Sequence, residues 1–100
     1  MTSSADLATL KIGDFEPHRD AIFEMQTQGG VVPLKLVKTE PGGASGRQGG
    51  AFSLLFAAPK GPWLPQATYP LQHPTFGTME IFLVPIGPLE GGNGYQAVFA

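Results

Sequence analysis

Turn-forming residues divide this 100-residue chain into short segments. Fourteen glycines and ten prolines occur without a G-X-Y period, and turn signals recur roughly every 10 residues. Between them apolar and polar residues alternate, as in residues 23–26, which read Phe-Glu-Met-Gln. Period-two alternation between closely spaced turns is typical of an all-β sandwich or barrel. A chain of this length supports one hydrophobic core, so residues 1–100 are predicted to form a single domain.

The alternating segments predict about six strands. They cover residues 21–27, 31–39, 51–58, 67–72, 78–84 and 95–100. Nearly all the connections are of hairpin length, which favours an antiparallel meander. Asp14 is a good N-cap and Pro17 is tolerated near a helix start, so one short helix is predicted at about residues 14–19. The predicted fold is therefore a small barrel or sandwich of antiparallel strands, preceded by one short helix.

Three segments lack the pattern of a strand. Residues 1–10 are a candidate disordered segment. Residues 40–50 contain five glycines and no large apolar side chain, so they are predicted to form a flexible loop. Residues 87–94 combine proline, glycine and asparagine and are also predicted to be a loop.

Charge is distributed unevenly along the chain. Eleven of the fourteen charged residues lie in the first fifty positions, whereas eight of the ten aromatic residues lie in the second fifty. The second half either supplies the central strands, covered by the first half, or meets another subunit. Residues 78–84 are apolar on both faces, and residues 62–65 place a tryptophan in a loop. The predicted partner interface comprises Trp63, Leu64, Phe82 and Val84.

The residue types that carry chemistry are sparse. There is no cysteine, and neither His18 nor His73 has a second histidine at metal-ligand spacing. Ser53 lies within a strand and not on a nucleophile elbow, and the 40–50 loop lacks the lysine of a phosphate-binding loop. We therefore expect no catalytic residues, no cofactor and no metal, and we expect that the protein is not an enzyme. A net charge of −2 also disfavours nucleic acid as a partner.

No stretch approaches the ~20 apolar residues that span a bilayer, and the first eight residues lack the basic and apolar regions of a signal peptide. A cytoplasmic location without membrane insertion is the default expectation, and export within a fibre-like assembly is the alternative.

Two functions from different classes fit the residues. The first is a non-enzymatic binding or assembly domain that associates with itself or with a protein partner, and pairing at an exposed strand edge would suit it. The second is a small-molecule-binding β-barrel or minor enzyme, with Tyr69, His73 and Tyr95 as polar groups in an apolar wall. A barrel interior filled by side chains would count against the second function.

Several segments, taken in order, also resemble a known family. Residues 51–56, 64–69, 71–74, 81–88 and 95–99 read AFSLLF, LPQATY, LQHP, IFLVPIGP and YQAVF. Together with Asp14-Phe15 and Phe23, they resemble a small bacterial family of unknown function. Its members are similar to small proteins encoded near phage-tail-collar-like proteins, which implies a structural or assembly role in a fibre-like system. The chain departs from this family at Arg19-Asp20, where members often have glycine.

Overall fold

The predicted strands close into a six-stranded antiparallel barrel. A computed structural model describes residues 10–42 and 51–99. The strands are β1 (Ile22–Thr27), β2 (Gly30–Pro41), β3 (Phe52–Ala58), β4 (Ala67–His73), β5 (Gly77–Leu89) and β6 (Gly92–Phe99). Their order around the barrel is β1-β2-β3-β6-β5-β4. The predicted fold class is thus confirmed, with a barrel rather than a sandwich.

The barrel consists of two three-stranded meanders and not of one continuous meander. Strands β1, β2 and β3 follow one another, as do β4, β5 and β6, but β3 pairs with β6 and β4 pairs with β1. The connection across residues 59–66 therefore crosses one end of the barrel instead of forming a hairpin. With β4 beside β1, the first four strands have the 4-1-2-3 order of a Greek key.

A short helix precedes the barrel, as predicted, but it begins earlier. Helix α1 spans Ile12–Phe15 and continues into a 3-10 turn over Glu16–His18. Asp14 is not the N-cap residue; it lies inside α1, where its carboxylate accepts a hydrogen bond of 2.8 Å from the Lys11 N–H. This contact satisfies a donor at the helix start that has no partner within the helix.

Alternation along the strands fills the barrel interior with side chains. In β3 every second residue is buried, beginning with Phe52. Phe15 of α1 is fully buried and plugs one end of the barrel, where its ring lies 4.8 Å from Phe76 and 5.8 Å from Phe52 between centroids. We call this the helix end. The opposite end, where residues 59–66 cross, is the loop end.

Strand boundaries differ from the predicted ones where β-bulges occur. Strand β5 continues through Pro85 and Pro88 to Leu89, so most of the predicted 87–94 loop is instead a hairpin. A register shift, which marks a β-bulge, lies between Pro85 and Gly87. Pro85 has no N–H to donate to the neighbouring strand, and a bulge is a position where that hydrogen bond is not required.

The two predicted disordered or flexible segments are only partly described. Leu10, the last residue of the first segment, is buried in the core. Glu40 and Pro41 belong to β2, so the strand reaches two residues into the predicted 40–50 loop. Residues 1–9 and 43–50 lie outside the described part of the chain.

The turn between the helix and β1 contains Arg19 and Asp20. Asp20 has a φ of 70°, the left-handed region that glycine occupies without steric cost. Its N–H donates to the Leu36 carbonyl oxygen at 2.7 Å, which fixes the turn against β2. Aspartate tolerates this conformation better than most residues, so the turn forms without the glycine.

Candidate functional site

The outer wall of the barrel carries exposed apolar side chains. Phe82 is 51% exposed and Val98 is 59% exposed. Both point outward because Ile81, Leu83 and the residues flanking Val98 fill the interior. Val84 on β5 and Leu55 on β3 are both half-buried. Each lies opposite Gln96, which is on β6 between them. We call Phe82, Val84, Val98 and Leu55 the outer patch.

The two predicted interface residues of the loop take different roles. Leu64 is half-buried against the core, and its N–H donates to the Tyr95 hydroxyl oxygen at 3.0 Å. Trp63 is 44% exposed, and its ring centroid lies 5.8 Å from that of Tyr95. Trp63 thus presents a large apolar surface at the loop end, while Leu64 anchors the loop beneath it. The predicted interface therefore lies partly on the outer wall and partly at the loop end.

A second surface is a cleft beside the contact of β1 with β4. This ladder has two residue pairs, Glu24–Gln72 and Met25–Leu71. Pro70 precedes the paired residues of β4 and lacks an N–H for further pairing. The cleft has a volume of about 600 Å³ and is open to solvent. Its lining comprises Ile22, Glu24, Gln72, His73, Pro74, Gly77 and Thr78.

Two histidines that are far apart in sequence meet at this cleft. The rings of His18 and His73 stand edge to face with centroids 4.8 Å apart, and Phe23 stacks on His73 at 4.5 Å. The Thr75 N–H donates to His73 Nδ1 at 3.0 Å. Since Nδ1 accepts, the neutral imidazole carries its proton on Nε2. Burial lowers the pKa of His73 below its ordinary value, and the charge of a protonated His18 lowers it further.

We expect the protein to lose stability as the pH falls below 6.5. Because the pKa of His73 is lower in the folded protein than its ordinary value of 6.5, the unfolded chain binds more protons below that pH. The stabilisation is complete above pH 6.5 and is lost as the pH falls toward the folded pKa. Protonated Nδ1 would also present an N–H to the Thr75 N–H. Urea unfolding at pH ~7.5 and ~5 measures the loss.

Two variants assign that loss to His73. His73→Asn keeps an acceptor for Thr75 but cannot titrate, so its stability should fall less between the two pH values. His18→Asn removes the neighbouring charge and leaves the burial of His73, so a reduced dependence should persist. An undiminished loss of stability in His73→Asn would show that another group is responsible.

The polar groups proposed for a small-molecule barrel do not converge on one cavity. The Tyr69 hydroxyl donates to the Pro65 carbonyl oxygen at 2.6 Å, and the Tyr95 hydroxyl accepts from Leu64. His73 lines the cleft, whereas Tyr95 lines a separate groove at the loop end. All three residues therefore make contacts that stabilise the fold, and the barrel interior between them is filled by side chains.

Two features of the described surface were not predicted from the sequence. Val98 was not predicted as part of the interface, although its outward position follows from the inward alternation of Tyr95, Ala97 and Phe99. The His18–His73 pair joins residues from opposite halves of the chain, which no spacing rule anticipates. Within residues 10–42 and 51–99, no group of three or more acidic or histidine side chains is placed to hold a metal ion.

These features define a small closed antiparallel barrel with an apolar patch on its outer wall. The model of a domain of unknown function, DUF6916, matches residues 10–99, so the chain belongs to that family. No curated protein and no solved structure matches the chain. In the described part of the chain, no helix has the length and apolar character needed to cross a membrane.

Proposed function

We propose that this domain is a non-enzymatic interaction module that binds another protein through the outer patch. The observation that carries the proposal is the exposure of Phe82 and Val98 on neighbouring strands, with Val84 and Leu55 half-buried beside them. Apolar side chains that are contiguous on a surface, as opposed to scattered, are characteristic of docking sites. An exposed aromatic residue in such a patch, here Phe82, is a typical binding anchor.

The closed barrel determines how such an interface works. Every described strand has a neighbour on each side, although β1 and β4 share only two residue pairs, so the proposal does not use strand addition at a free edge, which the sequence suggested. Docking instead involves side chains on the outer wall. The family resemblance of the sequence segments implies a fibre-like or tail-like system, and the partner that we propose is therefore a component of such an assembly.

Phe82→Ser is expected to weaken association and to leave the fold largely intact. The side chain is half exposed, so its replacement removes apolar contact area from the patch with little loss from the core. Sedimentation velocity across micromolar concentrations measures self-association, and urea unfolding measures stability. Ile22→Ser is the matched control, since Ile22 is 49% exposed but lies on β1.

A photo-crosslinking residue at position 82 tests association with a different protein in the native cell. We expect one discrete adduct from position 82, absent from position 22, and a weaker adduct when Val98→Ser is added. A monomer at all concentrations together with equal adducts from positions 82 and 22 would refute the proposal. A large loss of stability in Phe82→Ser would instead identify Phe82 as a core residue.

A further inference from the structure

The connection across the loop end is held by the side chains of two β6 residues, Asn93 and Tyr95. Asn93 is 5% exposed and is the one buried polar residue in the described core. Its Nδ2 donates to the carbonyl oxygens of Gly61 at 2.9 Å and Pro62 at 3.3 Å. The hydroxyl of Tyr95, which is 1% exposed, accepts from the Leu64 N–H. Two residues of β6 thus hold three positions of the loop, Gly61, Pro62 and Leu64, together with the rigid prolines of residues 59–65.

This fixed loop forms one wall of a groove. The opposite wall is the β1–β2 hairpin, and the volume between them is about 380 Å³. Sites for small ligands have volumes of about 300–1,000 Å³ and are mainly apolar, with a few fixed polar groups. The apolar part of the lining comprises Val31, Val32, Pro33, Ala58, Pro59, Pro62, Leu64 and the ring of Tyr95. Because the loop is preorganised, little conformational entropy is lost when a ligand enters.

A single charge lies in this groove. Lys60 is the only ionisable residue of its lining apart from the bonded Tyr95. Within the described residues Lys60 forms no salt bridge, whereas Lys35 contacts Asp20 and Glu90, and Lys38 contacts Glu40. The groove therefore combines an apolar floor with one lysine in its lining, and no Asp or Glu is among the lining residues that the structure describes.

We propose that the loop-end groove binds a small molecule that carries one carboxylate on a short apolar body. The carboxylate would pair with the Lys60 ammonium, and the apolar body would displace water from the valine and proline surfaces. A ligand with an ammonium group would be repelled, and a neutral alcohol would gain only the apolar contact. This site lies at the loop end and is separate from the outer patch, so it extends the proposed function and does not depend on it.

Titration with sodium hexanoate, followed by Trp63 fluorescence and by amide chemical shifts, tests the proposal. Trp63 is the only tryptophan, and it lies between two residues of the groove wall, Pro62 and Leu64. We expect saturable binding, with the largest shifts at the groove residues. Lys60→Met should weaken hexanoate binding about five-fold, and Lys60→Arg should retain most of it. Val31→Ser should weaken binding about two-fold, because Val31 contributes exposed apolar surface.

Hexanol, the neutral counterpart of hexanoate, shows how much the ligand's charge contributes to the affinity. It should bind the wild type about five-fold more weakly than hexanoate, and Lys60→Met should not change its affinity. Lys38→Met and Val98→Ser repeat the substitutions away from the groove and should leave hexanoate binding unchanged. Absence of saturable binding, equal affinities for hexanoate and hexanol, or an unchanged affinity in Lys60→Met would each overturn the proposal. Chemical-shift changes centred on the cleft lined by His73, instead of on the loop-end groove, would also overturn it.

Discussion

Replacement of Phe56 by alanine is expected to lower the free energy of unfolding by about 3–5 kcal/mol. Phe56 is fully buried on β3, between Leu36 of β2 and Tyr95 of β6, and its ring centroid lies 5.6 Å from that of Phe23. Alanine would leave a cavity that the surrounding ladders, closed around the barrel, cannot fill by moving. The lost contacts therefore add to the lost burial of the ring.

Urea unfolding followed by circular dichroism measures this change, with Phe82→Ala as the matched control. Phe82 loses the same atoms from a half-exposed site, so we expect a cost of at most about 1 kcal/mol. Equal costs at the two positions would show that the outer patch is part of the core, which would also remove the basis of the proposed interface. A small cost at Phe56 would mean that the barrel relaxes around the cavity.

The strands themselves could be predicted because burial on one face gives the sequence a period of two. Residues 23–26 alternate strictly between apolar and polar, and the structure places Phe23 and Met25 inside. In residues 52–58 every second side chain is buried, beginning with Phe52, although Leu55 between them is also apolar. The ends of β5 could not be predicted in this way. Pro85 and Pro88 are usual strand breakers, but a bulge between Pro85 and Gly87 allows the pairing to continue. Whether a bulge forms depends on the neighbouring strand, which the local sequence does not reveal.

Strand order was predicted only in part, for a physical reason. Residues 59–66 are short enough for a hairpin, yet they cross the barrel end because Asn93 and Tyr95 hold them there. These contacts join residues about thirty positions apart, and so no pattern within the loop specifies them. Alternation within one strand is enough to predict Phe82 and Val84 as an outward apolar pair. The grouping of Val98 with them joins two strands, and the His18–His73 contact joins two halves of the chain, so both depend on the fold.

Gly92→Ala is expected to destabilise the barrel by about 3 kcal/mol or more. A Cβ at this position would overlap the carbonyl oxygen of Ala58 and lie 3.1 Å from its carbonyl carbon. Both are backbone atoms, so no side chain can rotate away, and β6 would have to shift where Asn93 pairs with Ala58. Asn93 also tethers Gly61. The substitution should therefore loosen the loop end together with the strand pairing.

Urea unfolding of Gly92→Ala, compared with Gly29→Ala, checks this result. A Cβ at Gly29 would meet only the Thr27 hydroxyl oxygen at 3.9 Å, so that variant should differ from the wild type by no more than about 0.5 kcal/mol. The amide shifts of Leu64 report the loop tether separately, and they should change in Gly92→Ala even under conditions where the protein stays folded. Unfolding midpoints that agree for the two variants would show that β6 can move away from Ala58 at little cost. In that case the close approach of Gly92 to Ala58 would not limit the stability of the barrel.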